Sequence, residues 1–331
     1  MITRDYVDPA RENWERTGPR PLRTALWYPA PRSAIMSESV TAGLFEGGIV
    51  APGAPIAPDR SRYPLIILSH GTGGSAVQMM WLGRFLAARG FVVAAVNHHG
   101  NTSAEPQRRA QGFLLYWERA RDLSRVLDRI LADEVFGPRI DGARIGAAGF
   151  SLGGFTVLLT AGARFSSARY AAFCASPQRD FTCEPQPEHP TAHAEFARLR
   201  ETDPIVRESL QHADELYRDD RIRAVFVIAP ALGSGLTERS LRSVRVPVEL
   251  VVGDADVTTP MATNAVHVTG LIPDSRLEVL PGVSHYTFLN PCSARGVEVL
   301  DLCRDLASVD RAAIHRKVGE MAWRFFRTSL D

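Results

Sequence analysis

A serine stands between glycines in Gly149-Phe150-Ser151-Leu152-Gly153-Gly154. The apolar stretch 143–148 precedes it, and Phe155-Thr156-Val157-Leu158-Leu159 follows. Strand, G-x-S-x-G, helix is the context in which this pattern marks a nucleophile. A sharp strand-to-helix turn holds the serine in a strained conformation and needs small neighbours on both sides. The helix then aims its first N–H groups at charge developing on a substrate. A serine hydroxyl needs a base to take its proton, and the base needs a third group to orient it.

Both partners occur downstream. The apolar run 246–252 ends in Gly253-Asp254-Ala255-Asp256-Val257-Thr258-Thr259-Pro260. The run 276–280 ends in Pro281-Gly282-Val283-Ser284-His285-Tyr286. The order is therefore Ser151, an aspartate, then His285, each on a loop after a strand, where open parallel sheets place their sites. Asp256 is expected to orient His285, and Asp254, directly after the glycine, to serve the turn. A further strand, 64–69, runs into Ser69-His70-Gly71-Thr72-Gly73-Gly74. The loop after such a strand and the residue after the nucleophile each supply one oxyanion-hole donor. That assigns the N–H groups of Thr72 and Leu152. His70 is expected to hold this loop. His98 and His99 follow the strand around 91–97, where they could border a pocket. His70, Gly71, His98, Phe113, Tyr116, Trp117 and Tyr286 are the candidate substrate contacts, although aromatics at helical spacing more often fill a core.

The motifs Ser-His-Gly-Thr-Gly-Gly, Trp81-Leu82, Val-Asn-His-His-Gly-Asn (96–101) and Gly-Phe-Ser-Leu-Gly-Gly resemble those of the dienelactone-hydrolase-like α/β-hydrolases. This is the branch near platelet-activating-factor acetylhydrolases and cutinase-like polyester hydrolases. The early Leu26-Trp27-Tyr28-Pro29-Ala30 also matches a strand of that group, so the likeness spans roughly 21–326. It implies hydrolysis of small-molecule esters or amides through an acyl-enzyme, without a cofactor. True dienelactone hydrolases use a cysteine nucleophile. This chain has Ser151, so lactone specificity does not carry over.

The elements that must position these residues alternate along the chain. Strands are expected at 22–28, 64–69, 91–97, 143–150, 224–229, 246–252 and 275–280. Helices are expected at 76–89, 112–134, 152–163, 261–271 and 309–328. Such alternation predicts an α/β-hydrolase fold, a doubly wound, mostly parallel sheet. Residues 1–163 and 222–331 would form its core. Residues 164–221 are far too long for an ordinary connection and predict an inserted helical cap over the site.

The remaining composition excludes more than it assigns. The net charge is +1 over 331 residues, which gives no electrostatic case for nucleic acid. No apolar run is long enough to span a bilayer. The start, Met1-Ile2-Thr3-Arg4-Asp5-Tyr6, lacks an apolar signal core, so a cytoplasmic location is expected. No zinc-type spacing of cysteine and histidine occurs, and no metal is expected. Cys174, Cys183, Cys292 and Cys303 allow three pairings, among which sequence does not choose. The oligomeric state has no signature here.

Overall fold

The computed structural model describes residues 1–39 and 43–331. Its main sheet has eight strands. They are β1 (Ile2–Glu12), β2 (Pro19–Trp27), β3 (Tyr63–Ser69), β4 (Val92–Val96), β5 (Ile140–Phe150), β6 (Ile222–Ile228), β7 (Val248–Gly253) and β8 (Ser275–Leu280). The spatial order is β1-β2-β4-β3-β5-β6-β7-β8. The β1–β2 and β2–β4 pairs are antiparallel, and all later pairs are parallel.

The central strands are apolar on both faces because both faces are covered. Leu65 and Ile67 of β3 face helices α2 (Glu118–Leu131) and α3 (Leu152–Thr160) through Leu123, Val126 and Phe155. Ile66 and Leu68 face the other way, with Leu82 of the helix Met80–Ala87 and Val318 and Phe326 of the helix Arg311–Leu330. Several helices differ from the sequence expectation. The helix expected at 112–134 is broken at Leu115–Trp117 into Ala110–Leu114 and α2. The indole of Trp117 leaves the helix line to donate to the hydroxyl of Ser209 at 3.0 Å. The helix expected at 261–271 shrinks to Ala265–Thr269, because the side chain of Asn264 bonds Pro260 O (2.9 Å) and Gly233 N (2.9 Å).

Residues 164–221 carry the helices Ser167–Cys174, Ala192–Thr202 and Pro204–Gln211. Asp180 latches the segment by accepting from the Thr263 hydroxyl and from Asn264 Nδ2. The cysteines pair locally, Cys174 with Cys183 and Cys292 with Cys303. Such bonds persist in oxidising compartments and are rare in the cytosol.

Candidate active site

The strand ends bring the candidate residues together. Ser151 follows β5 directly and has φ 57° and ψ −121°, a conformation rare for a residue with a side chain. The surrounding structure over-determines it. The Ser151 N–H donates to Ile228 O at 2.9 Å, and its carbonyl accepts from Ala231 at 3.2 Å. A Cβ at Gly149 would collide with the Gly153 carbonyl, and one at Gly153 with the Ser69 carbonyl. The two glycines thus let the turn close against β3.

His285 Nε2 lies 3.0 Å from Ser151 Oγ, and His285 Nδ1 lies 2.7 Å from Asp256 Oδ2. Asp256 is fixed from four sides. Its Oδ1 accepts from the backbone of Thr258 (2.9 Å) and Thr259 (2.8 Å), and its Oδ2 accepts from the Thr259 hydroxyl (2.9 Å) as well as from His285. Asp254 does not reach the histidine. It accepts from Gly282 N at 2.6 Å and ties the β7 loop to the β8 loop. The His285 ring is held between Phe150 and Tyr286, with centroids at 4.7 and 5.3 Å. Its loop is pinned from below. Trp81 donates to Phe288 O at 2.8 Å and stacks on His315, whose Nε2 bonds Thr287 O at 2.9 Å.

The Gly71–Thr72 turn lies beside the serine. An added Cβ on Gly71 would come within 3.2 Å of Ser151 Cβ. Among the described residues, neither the Thr72 N–H nor the Leu152 N–H donates to a protein acceptor. Leu152 is the first residue of α3, where such donors are left free.

A buried polar network carries this turn. The Arg119 guanidinium donates to His70 O, to Ser69 Oγ (3.3 Å) and to Thr156 Oγ1 (3.2 Å). His70 donates from Nδ1 to Gly71 O (2.7 Å) and accepts from His98 N at 3.2 Å. His98 links Ser69 to Asp122, and Asp122 accepts from Arg20 and Arg11. Burial alone would raise the Asp122 carboxyl, but the two arginines outweigh it and hold it well below the usual carboxylate range. Burial, with Arg119 nearby, pushes His98 down to about 3 and His70 well below its ordinary value.

Two cavities flank Ser151. A small one, about 30 Å³, is lined by Thr72, Phe113, Tyr116, Leu152, Phe181 and Leu232 among others. A larger one, about 410 Å³, holds His285 and Tyr286 and is walled by Leu44, Phe45, Leu289 and Leu302. Gln186, from the inserted segment, lines both. Phe113, Tyr116 and Tyr286 therefore face open space next to the serine, and Gly71 abuts it. His70, His98 and Trp117 do not line either cavity. The two histidines are fully buried under the turn, where their ring nitrogens are used by the network, and Trp117 packs inward towards Ser209. Sequence reasoning missed Thr259, Phe181, Gln186, Glu188 and the Leu44–Phe45 wall. Only Thr259 had a local signal, the Asp-x-Thr-Thr-Pro turn, in which an aspartate bonds backbone two residues on.

Residues 66–294 match the model of the alpha/beta hydrolase family. A cutinase of Thermobifida alba, Est2, is 29% identical over 160 residues, covering 47% of this chain and 48% of that protein. Bovine platelet-activating factor acetylhydrolase is 42% identical over 64 residues, 19% of this chain and 14% of that one. The chain thus spans about half the length, or less, of these curated relatives. A ferulic acid esterase from Streptomyces cinnamoneus has the same fold, with a TM-score of 0.66 at 20% identity over 99% of this chain and 89% of its own. With a family match across more than half its length, and a sheet order and strand-end site to go with it, this chain belongs to the alpha/beta hydrolase family and is related to the cutinase-like hydrolases.

Proposed function

We propose that the chain is a serine hydrolase that cleaves carboxylic esters of a short acid through an acyl-enzyme. The observation that carries this reading is the line Asp256–His285–Ser151, at 2.7 and 3.0 Å, ending on a strained serine that opens into a cavity. Ser151 attacks the carbonyl carbon while His285 Nε2 takes the hydroxyl proton. Asp256 fixes the imidazole and stabilises its charged form. The N–H groups of Thr72 and Leu152 receive the oxyanion, each worth roughly 2.7–4 kcal/mol of transition-state stabilisation. His285 then passes its proton to the leaving alkoxide. Water, deprotonated by the same nitrogen, releases the acid. No step calls for a cofactor.

The two cavities divide the substrate. The leaving oxygen must meet His285, which lines the large cavity, so the alcohol part lies there. The acyl chain takes the remaining space beside Ser151, the small cavity that Leu152 lines. A space of about 30 Å³ suits a short acyl group such as acetyl. Relatives named cutinase and acetylhydrolase are in keeping with this chemistry.

Turnover of p-nitrophenyl acetate, p-nitrophenyl octanoate and p-nitroacetanilide tests the reading. The acetate is expected to be cleaved fastest and the anilide hardly at all, with both activities lost in Ser151→Ala. Comparable kcat/KM on the anilide would make the chain an amidase working with the same residues. A kcat/KM that rises towards the octanoate would overturn the division of the cavities.

A further inference from the structure

We propose that Glu188 recognises a hydroxyl group on the alcohol part of the substrate, so that the preferred esters carry a second, free hydroxyl a few atoms from the scissile oxygen. This rests on the ester-hydrolase reading above and goes beyond it. Glu188 comes from the inserted segment and lies across the oxyanion turn. Its Cβ and Cγ sit 2.8 and 2.7 Å from where a Cβ on Gly73 would be. Glu188 lines the large cavity together with His285 and Tyr286. The residue's own backbone N–H bonds the carboxyl, but Oε2 is buried with no hydrogen-bond partner among the described residues.

A buried acceptor left unpaired costs on the order of 1–3 kcal/mol, and more when charged. Such a group beside a cavity that holds the reacting atoms is satisfied when the side chain turns to a donor that a ligand brings. That wall mixes Leu44, Val77, Leu289, Leu300 and Leu302 with the uncharged Ser75, Gln78, Ser103 and Asn290, and Glu188 brings a carboxyl group to it. Arg108 selects among donors. Its guanidinium donates to the Glu188 carbonyl at 2.8 Å, and a second cation placed beside it would be repelled. Burial also raises the Glu188 carboxyl above its ordinary range. A hydroxyl can donate to the carboxylate or accept from the acid, so it serves either form. An ammonium serves only one.

The test compares two esters of equal size, 4-hydroxybutyl acetate and pentyl acetate, in the wild-type chain, Glu188→Met and Glu188→Gln. A site that hydrogen-bonds a substrate hydroxyl discriminates strongly against the analogue lacking it. The wild-type kcat/KM is expected to favour the hydroxy ester by about tenfold or more. Glu188→Met is expected to bring the ratio to about one, and Glu188→Gln, which keeps an acceptor, to preserve part of it. Acetylcholine is expected to gain nothing over 3,3-dimethylbutyl acetate. A wild-type ratio near one, a ratio that Glu188→Met leaves unchanged whatever the absolute rates, or a tenfold gain for acetylcholine overturns the proposal. Turnover of neither acetate would remove the ester-hydrolase reading and this proposal with it. Turnover of both at equal rates would remove this proposal alone.

Discussion

Ser151, His285 and Asp256 are not the only serine, histidine and aspartate joined in line in this molecule. Ser69 Oγ lies 2.9 Å from His98 Nε2, and His98 Nδ1 lies 3.0 Å from Asp122 Oδ2. The distances match those of the proposed catalytic set, but the settings differ in three ways. Ser69, His98 and Asp122 are each 0% exposed, while Ser151 and His285 border a cavity of about 410 Å³. Ser69 ends an ordinary strand, whereas Ser151 has a positive φ and heads a helix. The charge of Asp122 is already spent on Arg20 and Arg11, and His98, pushed down to about 3, does not take a proton near neutrality. Distance alone therefore does not make a nucleophile. Access, a strained perch and a carboxylate that pairs with the histidine rather than with arginines separate a reacting set from a supporting one. The buried set holds the oxyanion turn through His70.

The largest effects should divide the two sets cleanly. Ser151→Ala and His285→Ala are each expected to lower kcat on p-nitrophenyl acetate by about 10⁴–10⁶, with the double variant little worse. Asp256→Asn should cost on the order of 10⁴, and Asp254→Asn only a few-fold. Ser69→Ala should stay within about tenfold of wild type. Loss of turnover in Ser69→Ala to the level of Ser151→Ala, with the fold intact, would break the division.

The buried set should answer in stability instead. Asp122→Asn leaves Arg20 and Arg11 facing a neutral amide in a buried place. Removing one partner of such a pair costs about 3–5 kcal/mol, so the urea midpoint should fall sharply. The kcat of the remaining folded protein should change by less than about tenfold. A midpoint equal to wild type would mean that the network does not hold the turn.

Acid should expose the same contrast more gently. His98 is held at about 3 and His315 at about 4 by burial, and His70 well below its ordinary value. Unfolded, each takes up a proton near 6.5, but folded it does not until far lower. The unfolded state thus binds more protons, and stability is lost as pH falls from about 6.5 towards the folded values. Each histidine contributes a slope of up to roughly 1.4 kcal/mol per pH unit in this window. Urea titrations from pH 7 to 4 should show this decline, and His98→Asn should flatten it. A flat profile in the wild-type chain would contradict the burial of these rings as neutral groups.

Legibility followed the range of the physical signal. The central strands β3 to β6 read clearly because both faces are mostly apolar. Strand β1 did not, because its half-buried side includes Arg4 and Tyr6, and these are satisfied by Asp133, far away in sequence. Ser151, Asp256 and His285 were named from motifs that report local turns. Glu188 and Gln186 belong to no motif, and only the packing of residues 164–221 places them at the cavity. His98 was read as a pocket residue because its position after a strand is right. What sequence did not carry was the burial of Arg20 and Asp122, which turns it inward.

The most direct measurement is reaction with a fluorophosphonate followed by peptide mapping. One phosphonyl adduct is expected, on Ser151, formed in the wild-type chain and lost in Ser151→Ala, with Ser69 unmodified in both. An adduct on another serine, or none on a folded protein that still turns over p-nitrophenyl acetate, would contradict Ser151 as the nucleophile.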